Sequence, residues 1–405
     1  MLGDGLQGTL LAIRADLEGF STTVTGLIMS TFYIGFLLGS ILTPKLTQQV
    51  GHIRVFAALS ALASAAILLH ALFIEVPVWV ALRLLSGFCF AGLYIVAESW
   101  LNDRATNETR GKLLSLYMIV TYAGVGGGQL LLNLASPSEF PLFILTSVLI
   151  SVAVVPLLLS AGSPPKYQES VNISLLAVYR LSPLGIVSMF SVGLVTAAFF
   201  ALGPVYGQRM GLNVEYISYF MTAAVVGTVI LQAPIGVLSD RFDRRIVLTI
   251  TTLLTSVAAV LCVFASQIST NLLLLAVAIF GGLALPLYSV CIAYTNDHLN
   301  PNQMIAASGA LVLTSGLGAV VGPILIASFM DHFGEQAMFW VIAAIHALTG
   351  LFALYRMTVS RAVPLEKQGP YTSTAVHPSG SAIESVQQYN RAEAIDDSTQ
   401  AKIQR

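Results

Sequence analysis

Three ionisable side chains, Asp4, Arg83 and Glu98, interrupt stretches of this chain that are otherwise hydrocarbon. A charge in apolar surroundings is costly and is retained where it pairs, moves a proton or meets a ligand. A carboxyl taken out of water holds its proton more tightly and can exchange it at milder pH. Asp4 is therefore the leading candidate for proton coupling, with a helix-packing hydrogen bond in Gly3-Asp4-Gly5 as the alternative. Arg83 suits either an anionic group on a ligand or a fixed contact between helices. At helical spacing Arg83, Gly87, Ala91, Tyr94 and Glu98 share one stripe, which must face a cavity or other helices rather than lipid. Arg83 and Glu98 are about 22 Å apart along that helix and cannot pair. Glu98 stands near the end of its segment, where it either joins a gate with Arg110 or Arg54 or carries a proton. Neutral groups add to the set. Tyr122, Gln129 and Asn133 share a stripe, and Tyr206, Gln232 and Tyr288 lie in other apolar segments. They suit a polar or amphipathic small molecule, although each tyrosine alone fits an interface or packing position equally well.

Other chemistries find no support. There is no Walker loop, nucleophile elbow or Cys/His metal spacing, so the sequence offers no enzyme, no metal site and no cofactor. Cys89, Cys262 and Cys291 lie in apolar segments as small hydrophobes, and His70 and His346 are solitary. A net charge of −1 gives no electrostatic case for nucleic acid.

The elements that must carry these groups follow from composition. Of 405 residues, 56% are hydrophobic and 10% charged, well under the quarter usual for a soluble domain. The lipid bilayer is the expected solvent. Apolar runs of crossing length fall at 22–44, 53–74, 77–101, 113–134, 141–160, 183–206, 214–238, 246–267, 271–295, 304–329 and 335–357, with a shortened run at 1–13. Backbone amides in hydrocarbon must be paired internally, so the runs must be helices. Sixteen of the 19 basic residues lie in alternate loops or the tail, Arg14 and Arg209 lie on the other side, and Arg83 is within a span. The positive-inside bias makes the richer side cytoplasmic, with both termini there. Residues 358–405 are rich in Ser, Thr, Gln and charge and are expected to form a disordered cytoplasmic tail.

The chain also repeats itself. At an offset of 194, Gly87, Leu93, Tyr94, Val96, Asn102 and Asp103 recur as Gly281, Leu287, Tyr288, Val290, Asn296 and Asp297, and Gly124 and Gly128 recur as Gly318 and Gly322. At 192, Met29, Ser30 and Gly35 face Met221, Thr222 and Gly227. Several matches in order imply a duplicated unit. The expected organisation is a six-helix half over 1–160, a connecting loop over 161–182, a second six-helix half over 183–357 and the tail. Both halves put basic loops on the same side, so the repeat is parallel, and such transporters bind substrate near mid-membrane between the halves. The repeat also places the start of the first helix about ten residues before Met1, which would set Asp4 at mid-membrane. The natural start is therefore expected upstream.

Residues 236–245, GVLSDRFDRR, occupy the short loop after the eighth span. Here Asp240 can pair with Arg241, Arg244 or Arg245 and lock neighbouring helix ends. The first-half counterpart, PKLTQQVGHIR at 44–54, keeps Gly51 and the basic Arg54 but has Pro44 for Gly236 and Gln48 for Asp240. The loop resembles the G-x-L-x-D-R-x-G-R-R signature of the major facilitator superfamily, with Asp243 in place of the glycine. Arg83 to Gly87 and Gly318-x-x-x-Gly322-Pro323 also resemble elements of that superfamily, and VAESWLND and RGKLLSLYM resemble its YcaD-like branch of bacterial members. The resemblance implies an all-α, 12-helix fold of two parallel halves in a bacterial inner membrane. It implies a monomeric secondary active transporter, proton-coupled and alternating in access, for a small polar or amphipathic solute. A multidrug-type exporter and a non-transporting receptor of the same fold are the alternatives.

Overall fold

The computed structural model describes residues 1–104, 110–159 and 174–373. The side chains of Arg104, Arg110 and Lys112, and all of Lys166 and of 374–405, lie outside the described residues. Among the described residues every regular element is helical, as the amide argument requires: α1 (Leu2–Leu17), α2 (Thr22–Val50), α3 (His52–Leu72), α4 (Val76–Arg104), α5 (Arg110–Leu130), α6 (Pro141–Val152), α7 (Val155–Leu158), α8 (Leu175–Leu181), α9 (Pro183–Arg209), α10 (Val214–Arg241), α11 (Arg244–Ile268), α12 (Thr270–Ala284), α13 (Leu287–Asn296), α14 (Pro301–Phe333) and α15 (Ala337–Val359). Among the described residues eleven spans are long and apolar enough to cross a membrane. α1, at 16 residues, is about 24 Å long and makes the shorter twelfth.

Two spans depart from uniform helices. The tenth breaks between α12 and α13 at Leu285-Pro286, because proline lacks the amide that would continue the ladder. The fifth tightens into a 3₁₀ turn over Leu131–Leu134, which takes Asn133 off the stripe expected for Tyr122 and Gln129.

The repeated glycines are where helix backbones meet. A Cβ on Gly35 would strike the Leu84 carbonyl of α4, and one on Gly87 the Phe32 carbonyl of α2. Their repeats do the same work in the second half, Gly227 against Ala278 of α12 and Gly281 against Ala224 of α10. Gly128 meets the Leu2 carbonyl of α1, while Gly318 and Gly322 meet the Phe190 and Leu194 carbonyls of α9. Without a hydrophobic drive between helices in lipid, such close approach is what holds them together.

The tail differs from its composition. Residues 360–373, expected to be disordered, turn through a short 3₁₀ segment at Leu365–Lys367 and run back against the second half. Specific acceptors on α10 and beyond α13 hold them, which composition cannot show.

Candidate functional site: a polar relay between the halves and two charged ends

At the inner face of the first half, the Tyr94 hydroxyl on α4 donates to Asp4 Oδ2 on α1 at 2.6 Å. Tyr94 is buried and its ring leans on Phe36 and Phe90. One stripe away Arg83 is 5% exposed, with its guanidinium 4.4 Å from the centre of the Phe32 ring. Its Nε has no partner, and no ion pair joins it to Asp4 among the described residues. Arg83, Tyr33 and Asp4 are close enough to feel one another electrostatically. Tyr33 and Phe36 also wall a cavity whose other wall belongs to the second half: Thr196 on α9, Tyr288 on α13 and Ser315 on α14. Tyr288 and Ser315 hydroxyls are 3.5 Å apart. The first-half wall is thus aromatic, with Asp4 and Arg83 behind it next to Tyr33, and the other wall offers neutral hydroxyls.

Away from the basic loops, the ends of the halves are fastened together. Arg209 of α9 pairs with Asp16 of α1 at 3.0 Å and Asp331 of α14 at 3.8 Å. Asp331 also accepts the Thr22 and Thr23 amides at the start of α2. Asn133 donates to Ser218 of α10 at 2.8 Å, and deeper in, Gly26 lies against the Pro323 carbonyl and Ala327.

At the basic face of the second half, Arg244 is 1% exposed and fully engaged. Its Nε donates to Ser239 at 3.1 Å, one terminal nitrogen to Asp297 at 2.6 Å and the Ala293 carbonyl at 3.3 Å, and the other to Asp240 at 3.0 Å and the Gly369 carbonyl. Burial pushes Asp297 up to about 6, with Arg244 beside it pulling the other way. Asp243 caps α11 through the Arg245 amide and binds the Arg245 guanidinium at 2.8 Å. Burial would raise its pKa, but Arg245 outweighs that and holds the carboxyl below the usual range. Arg245 also reaches the Ser360 carbonyl at 2.8 Å. Arg241 is exposed without an ion pair among the described residues.

The sequence candidates scatter accordingly. Asp4, Tyr94 and Arg83 gather in the first half, and Tyr288 faces the cavity. Gln129 instead accepts from Thr9, binding α5 to α1. Tyr206 belongs to an aromatic core with Phe220 and Phe339, because its position on α9 points into the second half. Tyr122 lies within reach of Gln232 across the halves. Glu98 accepts from Tyr117 at 2.7 Å, and Arg54 is exposed and makes no pair with it. Gly51 supplies a φ of 89° between α2 and α3, and Gly236 lies under the Tyr371 ring. Sequence reasoning passed over Tyr33, Ser315, Asp331 and Asp297 as site residues. Only Asp297 carried a signal, through its repeat with Asp103.

The sequence matches the family model of the Major Facilitator Superfamily over residues 1–229 and 211–383. The uncharacterized MFS-type transporter YcaD of Escherichia fergusonii is 27% identical over 346 residues, covering 85% of this chain and 89% of the relative. YcaD of Escherichia coli matches to the same extent. Among solved structures, the nucleoside transporter NupG superposes with a TM-score of 0.71 at 14% identity, over 87% of this chain and 96% of that one. A bacterial homolog of the human lysosomal transporter Spinster, in an inward-facing and occupied conformation, gives 0.68 at 14% identity, over 92% and 96%. At those identities the structural likeness concerns the fold. With two fastened six-helix halves around a polar junction, this chain belongs to the Major Facilitator Superfamily of membrane transporters.

Proposed function

We propose that the protein is a secondary active transporter that moves a small polar or amphipathic solute by alternating access, with proton coupling, across a bacterial inner membrane. The basic face is cytoplasmic on this reading, by the positive-inside bias. The observation that carries it is the Asp4, Tyr94 and Arg83 group, set beside Tyr33 of a cavity walled by both halves. Asp4 is half-buried and accepts from the Tyr94 hydroxyl, Arg83 is buried without an ion pair among the described residues, and the far wall of the neighbouring cavity belongs to the other half. A carboxyl placed so can take a proton when the cavity opens to one side and lose it on the other. The ties among Asp16, Arg209 and Asp331 fit a state closed on the periplasmic side.

The test is uptake into proteoliposomes at two pH values, using a solute first found by a thermal-shift screen. Asp4→Asn keeps an acceptor for Tyr94 but cannot titrate. Uptake driven by a pH gradient should fall at least tenfold, roughly the loss of the coupled flux, while exchange of solute without a gradient persists. Unchanged gradient-driven uptake in Asp4→Asn would remove the role.

A further inference from the structure

The groove between the cytoplasmic ends of α10 and α13 already holds a peptide, and that peptide is the chain's own tail. The Gly369 amide donates to Asp297 Oδ1 at 3.1 Å and the Tyr371 amide to Asp240 Oδ1 at 2.7 Å, while the Gly369 carbonyl accepts from Arg244. Donor, acceptor and donor follow one another along three residues and meet carboxylate, guanidinium and carboxylate in the same order. The Tyr371 ring rests on Gly236, where an added Cβ would come within 2.6 Å of it. Its hydroxyl faces Gln232 on α10 and Ser289 on α13, and burial pushes it up to about 12. Three residues of the loop signature, Gly236, Asp240 and Arg244, are thus contacted by the tail as well as by each other.

We propose that this groove is a peptide-binding site for residues 369–371 and that the docked tail holds the cytoplasmic side open. The mechanism follows from what must move. The halves are joined at the periplasmic end. Closing the cytoplasmic side means bringing the first half against the inner surface of α10 and α13. Elsewhere in this molecule bare glycines such as Gly227 and Gly281 are covered by a neighbouring helix backbone. At Gly236 the cover is the Tyr371 ring, and α5 already stands next to it through Tyr122. The tail and a closing helix therefore compete for one surface. The tail also supplies backbone donors to Asp240 and Asp297, so its departure leaves each carboxylate with Arg244 and with capacity for a further donor from the other half. The consequence for transport rests on the alternating-access reading; the docking itself does not.

Two readouts on the full chain in nanodiscs separate these. In the first, hydrogen exchange of 366–373 is compared between wild type, Tyr371→Ala and Tyr371→Pro. The Gly369 and Tyr371 amides of wild type should exchange at least about tenfold more slowly than in an unstructured segment, and Tyr371→Ala should abolish the Gly369 protection. Exchange of wild type at the unprotected rate overturns the site. In the second, spin labels on Lys45→Cys and Arg241→Cys report the separation of the halves. Both Tyr371 variants, and a chain ending at Leu365, should increase the short-distance population at least threefold. Protected amides with an unchanged distance distribution would leave a bound tail that controls nothing, and that overturns the lock. Neither readout requires flux, so a protein that docks its tail but moves no solute would sink the transporter reading alone.

Discussion

The loops after α2 and after α10 descend from one unit but are built differently. At an offset of 192, Pro44 corresponds to Gly236, Gln48 to Asp240, Gly51 to Asp243 and His52 to Arg244. In the second half Arg244 joins α10, α13 and the tail through charge-assisted bonds. In the first half His52 spans the same gap, from α3 to α4, and meets the uncharged Ser99 hydroxyl at 3.3 Å. The turns differ as well. Gly51 holds φ 89° and ψ 154°, whereas Asp243 holds φ −52° and caps the following helix with its side chain. By contrast, Gly35 and Gly227, Gly87 and Gly281, and Gly128 and Gly322 are matched between the halves, each against a helix backbone. Helix contacts constrain both copies equally, because any Cβ there would meet a backbone. The charged loop is free to diverge once one copy carries the network and, among the described residues, holds the tail.

The largest test of that contrast replaces each central residue by the same apolar one. Arg244→Met leaves Asp297, whose side chain is 2% exposed, as a buried charge without its counterion, and should cost about 3–5 kcal/mol. His52→Met gives up the bond to the uncharged Ser99 hydroxyl and should cost about 1 kcal/mol. Equilibrium unfolding of both variants in lipid is the measurement. Equal losses would mean that the two loops are equivalent despite their chemistry.

The same contrast marks what was legible in the sequence. The spans, the two halves and the superfamily could be read because lipid permits only helices and because duplicated glycines keep their spacing. That Asp240 pairs with a neighbouring arginine could be read as well, but not that Arg244 rather than Arg241 or Arg245 is the partner. The break at Pro286 was announced by a proline inside a span, yet a proline of the same kind leaves α14 continuous at Pro323, so the residue alone does not decide. The three-dimensional partners were out of reach. Arg244 meets Asp297 53 positions away and Gly369 125 positions away, and nothing local in GPYT states that its amides face carboxylates. Tyr206 escaped for the complementary reason: a tyrosine on a largely apolar helix looks the same whether it faces a cavity or the rings of Phe220 and Phe339.

Asp297 gives the next test, through pH. Burial lifts its carboxyl to about 6, so the folded protein holds that proton more tightly than the unfolded chain does. The stability it contributes is full below about pH 4 and is lost as the pH rises through 6. Across that window wild type should lose about 2–3 kcal/mol relative to Asp297→Asn, at 1.36 kcal/mol per pH unit. Arg244→Met removes the group that pulls the pKa down, so the step should move to higher pH. A flat difference between wild type and Asp297→Asn from pH 4 to 7 would show that Asp297 titrates like an exposed carboxyl.

The smallest effects come from exchanging the two turns. Gly51→Asp forces a side chain onto φ 89° and ψ 154°, a region occupied almost only by glycine. No neighbour crowds the added Cβ, so the cost is backbone strain alone, roughly 1–3 kcal/mol. Asp243→Gly restores the glycine of the superfamily signature at a φ of −52° that does not need it. It loses the cap on α11 and the largely buried pair with Arg245, and should cost about 1–2 kcal/mol. Both changes move a loop towards its counterpart, and both should destabilise. If Asp243→Gly instead stabilised the protein, the second-half turn would be a strained copy of the first. Its charges would then be held against the backbone's preference, whereas the geometry has the turn and the charges agreeing.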